Sequence, residues 1–140
     1  MSHQLISGIP GSGLTRTSKV LAGEAVERGE MVIVAVRGEH RRQEWSIVSG
    51  ATVTTDAAGV LTMVRALITE RYARTEAPLT LILDDVSLTE TTWSAVESIV
   101  RLGRRARVTL VLATTRDVPL RVKDCMEGIV LTASERVSAA

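Results

Sequence analysis

Gly8-Ile9-Pro10-Gly11-Ser12-Gly13-Leu14-Thr15 is the stretch of sequence that decides the fold. Its spacing is that of the phosphate-binding loop, G-x-x-x-x-G-K-[ST], with leucine in the place of the lysine. Glycines in such a loop let successive backbone N–H groups converge on phosphate oxygens, and the helix that follows adds the positive end of its dipole. The stretch therefore predicts a strand, a tight turn and a helix, in that order. Taken alone, it is equally consistent with a plain strand-to-helix turn.

The candidate nucleotide ligands lie within this loop. The phosphates are expected to contact Gly8, Gly11, Ser12, Gly13, Leu14 and Thr15. The Thr15 hydroxyl stands where Mg²⁺ would be bound. Leu14 can neither neutralise charge nor donate a hydrogen bond, and a charge-assisted hydrogen bond is worth about 1.5 to 3 kcal/mol. Affinity for ATP and stabilisation of the transition state should therefore both fall.

Two cations, Arg16 and Lys19, follow the loop. The geometry of a helix is expected to carry both of them around or away from the phosphates. An arginine from a neighbouring subunit is another source of the missing charge.

A second motif, Leu79-Thr80-Leu81-Ile82-Leu83-Asp84-Asp85, is an apolar run that ends in two acids. It fits the Walker B strand, in which Asp84 would hold Mg²⁺ through water and Asp85 would orient or deprotonate the attacking water. Apolar strands that end in two acids are common, so this match is weak alone. Because the two motifs occur in the right order and at a plausible separation, together they predict ATP and Mg²⁺ as cofactors.

Apolar patterning predicts strands that alternate with helices. The predicted strands cover residues 4–7, 31–36, 79–83, 108–113 and 128–132, and the predicted helices cover 15–28, 57–74 and a segment from 89 or 91 to 105. Residues 37–43 are predicted as a loop, and residues 114–123 as a loop with a short turn. Such alternation predicts an α/β fold, with a mainly parallel sheet sandwiched between helices. Ligands of these sheets bind at the carboxyl ends of the strands, so the glycine turn and the acidic pair should meet there.

The length and charge of the chain limit the classes of protein it can belong to. Its 140 residues suffice for one compact domain, placed at 1–140, and are too few for two. No apolar run approaches the roughly 20 residues of a membrane helix, and the first residues lack a secretory signal. A lone Cys125 fits a reducing compartment, so cytoplasm is the expected location. With a net charge of +1, any contact with DNA must come from local clusters, and the scarcity of aromatic residues argues against base-stacking single-strand binders.

Further stretches carry a family pattern. Residues 3–8 are similar to HLLVAG, Thr54-Thr55-Asp56 to VTD, and Glu70-Arg71-Tyr72 to E-x-x-R-Y with one residue missing. Residues 103–116 closely follow GRAAGIHLVLATQR. In these segments and in the two motifs above, nearly the whole chain resembles the motor core of the FtsK/SpoIIIE (HerA-FtsK) family of P-loop DNA-pumping ATPases.

This resemblance implies a RecA-like P-loop NTPase domain, a three-layer sandwich, of a DNA translocase that assembles as a ring or hexamer. Thr114 and Thr115 match the segment that senses the γ-phosphate, and Arg104 could face the nucleotide of a neighbouring subunit. The catalytic candidates are therefore Asp85, Thr115 and Arg104. A basic cluster surrounds Arg104, and its members are Arg101, Arg104, Arg105 and Arg107. For this cluster, favourable charge at a helix end and solubility are the alternative to a subunit or DNA contact.

Four positions depart from the family pattern. Leu14 stands in the place of lysine, Asp85 in the place of glutamate, Thr115 in the place of glutamine, and Ala139 in the place of a terminal arginine. Two functions therefore stay open. The first is an ATPase module related to DNA translocases with weakened or lost hydrolysis. The second is a catalytically inactive pseudo-ATPase, a scaffold or regulatory subunit that joins an active homologous ATPase in a DNA-handling, packaging or secretion assembly. A small-molecule kinase would need an acceptor site or lid that the sequence does not display.

Overall fold

Strands and helices alternate along the chain in a computed structural model that describes residues 2–71 and 77–131. The strands are β1 Gln4–Gly8, β2 Met31–Val36, β3 Ala51–Thr54, β4 Leu79–Asp84, β5 Val108–Thr114 and β6 Glu127–Leu131. The helices are α1 Leu14–Glu27, α2 Glu39–Glu44, α3 Ala57–Arg71, α4 Glu90–Leu102 and α5 Leu120–Lys123. Short 3₁₀ turns cover Trp45–Ile47 and Gly103–Ala106. The alternation that the apolar pattern predicts is confirmed.

All six strands join one parallel sheet in the order β3-β2-β4-β5-β1-β6. The two strands that precede the sequence motifs, β1 and β4, both pair with β5 and so lie on either side of it. Parallel strands end at a common edge, so the glycine turn and the acidic pair flank the carboxyl end of β5. This order gives the site its geometry.

Two apolar clusters cover the two faces of the sheet. In β4, Leu79, Leu81 and Leu83 pack with α3 and α4, whereas Ile82 packs with α1. Because successive side chains of a strand point to opposite faces, this alternation explains the uninterrupted apolar runs of the central strands. It also directs Asp84, two residues after Ile82, to the face that α1 covers. The three-layer α/β sandwich predicted from the sequence is confirmed.

The ends of α3 and α4 agree with the expected caps. The Asp56 side chain accepts a hydrogen bond from the Gly59 N–H at 3.0 Å, and Thr89 forms a capping box with Thr92. α4 ends at Leu102 rather than near 105, because a 3₁₀ turn and a left-handed Arg107, with φ of 59°, lead into β5. Several predictions fall outside the described residues. They are the extension of α3 to 74, the family-like Tyr72, the end of the last strand at 132, and Ala139.

Two elements differ from the prediction in the region after β2. Residues 37–43 were predicted as a loop, but α2 begins at Glu39, and β3 follows it. No residue of α2 is buried, so apolar periodicity could not reveal this helix. Ion pairs one turn apart, Arg42 with Glu39 and Arg41 with Glu44, stabilise it instead.

His3 is a buried titratable group at the amino end of β1. It is 1% exposed, and its Nδ1 accepts a hydrogen bond from the Leu110 N–H at 2.9 Å. Nδ1 can accept only in the neutral ring. Burial, with a smaller contribution from the positive charge of Arg104, lowers the pKa of His3 from 6.5 to about 4.

The pKa of His3 predicts a loss of stability in acid. The folded pKa lies below the unfolded value, so the stabilisation is complete above pH 6.5 and disappears as the pH falls toward about 4. The full difference corresponds to roughly 3 kcal/mol in the free energy of unfolding. His3→Asn keeps an acceptor for Leu110 without titrating, so urea unfolding between pH 7.5 and 4.5 should show a pH dependence smaller by about 2 to 3 kcal/mol.

His40→Asn is the control for this measurement. The His40 side chain is 87% exposed, so its replacement should change the free energy of unfolding at pH 7.5 by only a few tenths of a kcal/mol. Equal losses of stability in acid for the wild type and His3→Asn would contradict the assignment.

Candidate functional site

A cleft of about 780 Å³ lies at the carboxyl ends of the strands and is large enough for a small ligand. It is lined by residues 10–17, Arg37, Arg41, Asp85, Thr115 and Arg116. The glycine turn and Asp85, which follows β4, therefore meet at one edge of the sheet, as predicted. Gly8 ends β1 at the base of the loop and is not part of the lining.

The loop has the backbone geometry of an anion site. Gly11 and Gly13 have φ of 82° and 99°, in the left-handed region that favours glycine. Gly13 caps α1 without a side-chain hydrogen bond, so the first N–H groups of the helix receive no cap from a side chain. Nothing lies within 4 Å of a Cβ built on Gly13, so its backbone conformation, rather than crowding, requires glycine.

Ser12 tests whether the loop fits a phosphate. Its side chain is buried, and among the described residues its Oγ finds no hydrogen-bond partner. A buried hydroxyl left without a partner costs about 1 to 3 kcal/mol. A phosphate oxygen bound in the loop would provide the acceptor, so the loop fits a phosphate.

Thr15 and Asp84, the two residues predicted to hold Mg²⁺, are in direct contact. The Thr15 hydroxyl donates to the Asp84 carboxylate, at 3.2 Å from Oδ1 and 3.0 Å from Oδ2. Mg²⁺ in phosphate sites is commonly bound by one or two protein oxygens together with water and phosphate oxygens. No group of three or more His, Cys, Asp or Glu residues that could hold a metal occurs in the described part of the chain. The two oxygens therefore fit an ion that arrives with the nucleotide.

Trp45 completes the surroundings of Asp84 and was not anticipated from the sequence. Asp84 is 1% exposed, and the buried indole of Trp45 donates from Nε1 to its Oδ2 at 2.8 Å. Arg41 approaches from the same segment and donates from Nη1 to Thr15 Oγ1 at 3.2 Å. A buried carboxylate needs such donors, because its transfer from water is otherwise very costly.

Asp85 turns toward the cleft and lies beside Thr115. Its φ of 52° is left-handed, a conformation in which aspartate is enriched, which offers a reason for aspartate at this position. The backbone N–H and hydroxyl of Thr115 both lie 3.3 Å from Asp85 Oδ1. On the other side, Arg37 Nη2 lies 3.4 Å from Oδ2. Both carboxylate oxygens are thus engaged. Thr114, the other predicted sensor residue, is buried, and its Oγ1 accepts from the Arg116 N–H at 3.0 Å.

Leu14 is part of the apolar core. It is 8% exposed and belongs to the apolar cluster between α1 and the sheet, with Ile6, Ala22 and Val34, although it also borders the cleft. Arg16 lines the cleft as well, whereas Lys19 does not. That the helix carries both of them around or away from the phosphates stays a prediction.

Arg104 lies away from the cleft, at the opposite edge of the sheet. It borders a separate hollow of about 520 Å³ with Glu30, Pro78 and other members of the basic cluster, at the amino ends of β4 and β5. A role at the nucleotide of its own chain is therefore excluded by position. The role at the nucleotide of a neighbouring subunit stays a prediction.

Replacing Trp45 tests the support of Asp84. Trp45→Phe removes the indole donor and some core volume, so we expect the free energy of unfolding to fall by about 2 to 4 kcal/mol. Trp93→Phe is the matched control, since Trp93 is only partly buried against the other core cluster, and should cost about 1 kcal/mol. Urea denaturation followed by circular dichroism measures both.

A double-mutant cycle isolates the hydrogen bond between Trp45 and Asp84. Combined with Asp84→Asn, Trp45→Phe should show a coupling energy of about 1 kcal/mol or more, and Trp93→Phe none. Absence of coupling between Trp45 and Asp84 would contradict the donation.

Comparison with solved structures identifies ATPase domains. The cytoplasmic domain of the Thermomonospora curvata type VII secretion ATPase EccC matches with a TM-score of 0.74 at 15% identity, over 96% of this chain and 20% of that chain. EccC ATPases 2 and 3 in complex with a signal sequence peptide match with a TM-score of 0.73 at 13% identity, over 96% and 30%. The pCW3 conjugation coupling protein TcpA with ATPγS matches with a TM-score of 0.69 at 15% identity, over 92% and 48%.

The chain spans less than half the length of each of these three structures, from 20% to 48%. No protein-family model matches the sequence, and no curated relative does. In the described residues, no helix is long and apolar enough to cross a bilayer. At these identities the comparison defines the fold, and the chain has the RecA-like P-loop fold of the FtsK/SpoIIIE-type ATPase domains that its sequence resembles.

Proposed function

We propose that this chain is an FtsK/SpoIIIE-like P-loop ATPase module, related to DNA translocases, that binds ATP and has weakened or lost hydrolysis. One observation carries the proposal. The Thr15 hydroxyl, at the cleft, donates a hydrogen bond to the Asp84 carboxylate, while Leu14 is packed in the core. The Mg²⁺ half of a nucleotide site is retained, and the residue that would neutralise the phosphates is not.

The retained residues define what the site would do. Backbone N–H groups of residues 11–15 and the Ser12 hydroxyl would bind phosphate oxygens. Thr15 would hold Mg²⁺ directly and Asp84 through water, and the ion would neutralise charge on the phosphates. Asp85 would orient the attacking water, with Thr115 positioning its carboxylate.

Two features support reduced hydrolysis. Leu14 supplies no charge, and loss of one charge-assisted hydrogen bond, about 1.5 to 3 kcal/mol, corresponds to roughly a tenfold to 150-fold loss in affinity or rate. Asp85 already accepts from Thr115 and pairs with Arg37, which leaves its carboxylate about one of its four lone-pair sites for a water molecule. Arg37 thus restrains the residue that the reaction needs.

The alternative is a catalytically inactive scaffold or regulatory subunit of a DNA-handling, packaging or secretion assembly. The chain matches 20% of the EccC cytoplasmic domain and 30% of a structure described as its ATPases 2 and 3. One domain of this kind can therefore be a single module among several. Partners in either role would be further copies in a ring or hexamer, or an active homologous ATPase, with DNA as a possible ligand of the basic cluster. Cytoplasmic location stays a prediction.

A turnover assay tests hydrolysis. We expect the wild type to hydrolyse ATP only slightly faster than the Asp84→Ala, Asp85→Ala double variant, with and without duplex DNA. Turnover on the order of 10 s⁻¹, a typical enzyme value, would contradict weakened hydrolysis. Turnover equal to that of the double variant would show that hydrolysis is lost and would favour the scaffold.

Restoring the lysine tests the consequence of Leu14. Leu14→Lys should raise ATP affinity by about tenfold or more in a calorimetric titration, because it returns a charged donor to the loop. It should also lower the free energy of unfolding by about 2 kcal/mol, since an apolar side chain leaves the core. Leu14→Met is the control, which retains the apolar volume without the charge. Equal ATP affinity for Leu14→Lys and Leu14→Met would contradict the proposal.

A further inference from the structure

The cleft is strongly cationic despite the missing lysine. Its lining residues include four arginines, Arg16, Arg37, Arg41 and Arg116, and a single carboxylate, Asp85. A concave surface with this excess of one charge attracts anions. We propose that Arg41 is a phosphate ligand that supplies the positive charge Leu14 lacks. This inference rests on the nucleotide binding proposed above and names the residue that makes it feasible.

Arg41 is distinguished from the other three arginines by its contact with the loop. Its Nη1 donates to Thr15 Oγ1 at 3.2 Å, so the guanidinium lies beside the last residue of the phosphate-binding motif. Arg37 is occupied by Asp85, whose backbone oxygen accepts from its Nε at 3.1 Å and whose carboxylate pairs with its Nη2 at 3.4 Å. The side chains of Arg16 and Arg116 are exposed and make no hydrogen bond to the loop within residues 2–71 and 77–131.

Arg41 has donors to spare for a phosphate. A guanidinium carries five N–H groups, of which Nη1 holds two. Nη1 contacts Thr15 and, at 3.0 Å, Glu44 Oε2, and the other three N–H groups have no hydrogen-bond partner in the described part of the chain. The side chain lines the cleft and is 45% exposed, so a ligand in the cleft can reach it. Their fork geometry matches two phosphate oxygens, which a lysine would contact as a point charge.

The segment that carries Arg41 is fixed at both ends. α2 begins three residues after β2, an interior strand of the sheet, and is followed by Trp45, whose buried indole donates to Asp84. The same residue that satisfies the Mg²⁺ carboxylate therefore holds α2 over the loop. A cation that is positioned before the ligand binds loses less conformational entropy on binding than a mobile one.

A calorimetric titration with Mg²⁺-ATP and with inorganic tripolyphosphate tests the role of Arg41. Arg41→Gln should weaken binding of both ligands by about 10- to 100-fold, because it removes a charged donor. Arg42→Gln is the matched control: Arg42 lies on the same helix and pairs with Glu39 at 3.3 Å, but does not line the cleft. It should change either affinity by less than about twofold. Adding Leu14→Lys to Arg41→Gln should restore most of the affinity for both ligands.

The outcomes separate two failures. If the wild type binds Mg²⁺-ATP and Arg41→Gln binds it as tightly, or if Arg42→Gln is weakened equally, the assignment of Arg41 is overturned and nucleotide binding stands. If the wild type binds neither ligand, proposed nucleotide binding and the role of Arg41 both fall. Thermal unfolding of each variant identifies any loss of affinity that comes from loss of the fold.

Discussion

A buried carboxylate is the group on which the rest of the site depends. Asp84 ends the central strand β4 at 1% exposure, where an ionised group is tolerated only if donors surround it. Thr15, at the start of α1, and Trp45, just after α2, supply those donors to the same oxygen, at 3.0 and 2.8 Å. One carboxylate thereby fixes the phosphate-binding loop and α2 relative to the sheet, and Arg41 takes its position from the same contact.

The strand order then gives two adjacent acids different surroundings. Asp84 continues the alternation of β4 and faces α1, whereas the left-handed backbone of Asp85 turns the next carboxylate toward β5 and the cleft. Because β5 lies between β1 and β4, Thr115, which follows the carboxyl end of β5, lies beside Asp85. Asp84 is surrounded by donors from the loop and from Trp45, whereas Asp85 lies at the cleft, where Thr115 and Arg37 contact its carboxylate.

The sequence predicts the strands and the phosphate-binding loop well, and it predicts α2 and Trp45, which lie beside the cleft, poorly. The reasons are physical. Buried strands such as β2 and β4 are visible in the sequence as apolar runs, and the spacing of the glycines predicts the loop. α2 has no buried residue, so its charge pairs leave no apolar period. Trp45 meets Asp84 across 39 positions of sequence, a contact that no local pattern encodes. Arg104 precedes β5 and so lies at its amino end, which a match to a motif alone does not reveal.

The packing of Leu14 constrains which residues can stand at this position. Leu14 fills space between α1 and the sheet, so a lysine there would have to extend its apolar stem past Ile6 and Val34 to bring its ammonium group to the cleft. A change at this single position therefore alters the packing of the core and the charge of the cleft together, whereas the exposed Arg16 can be replaced without disturbing the core.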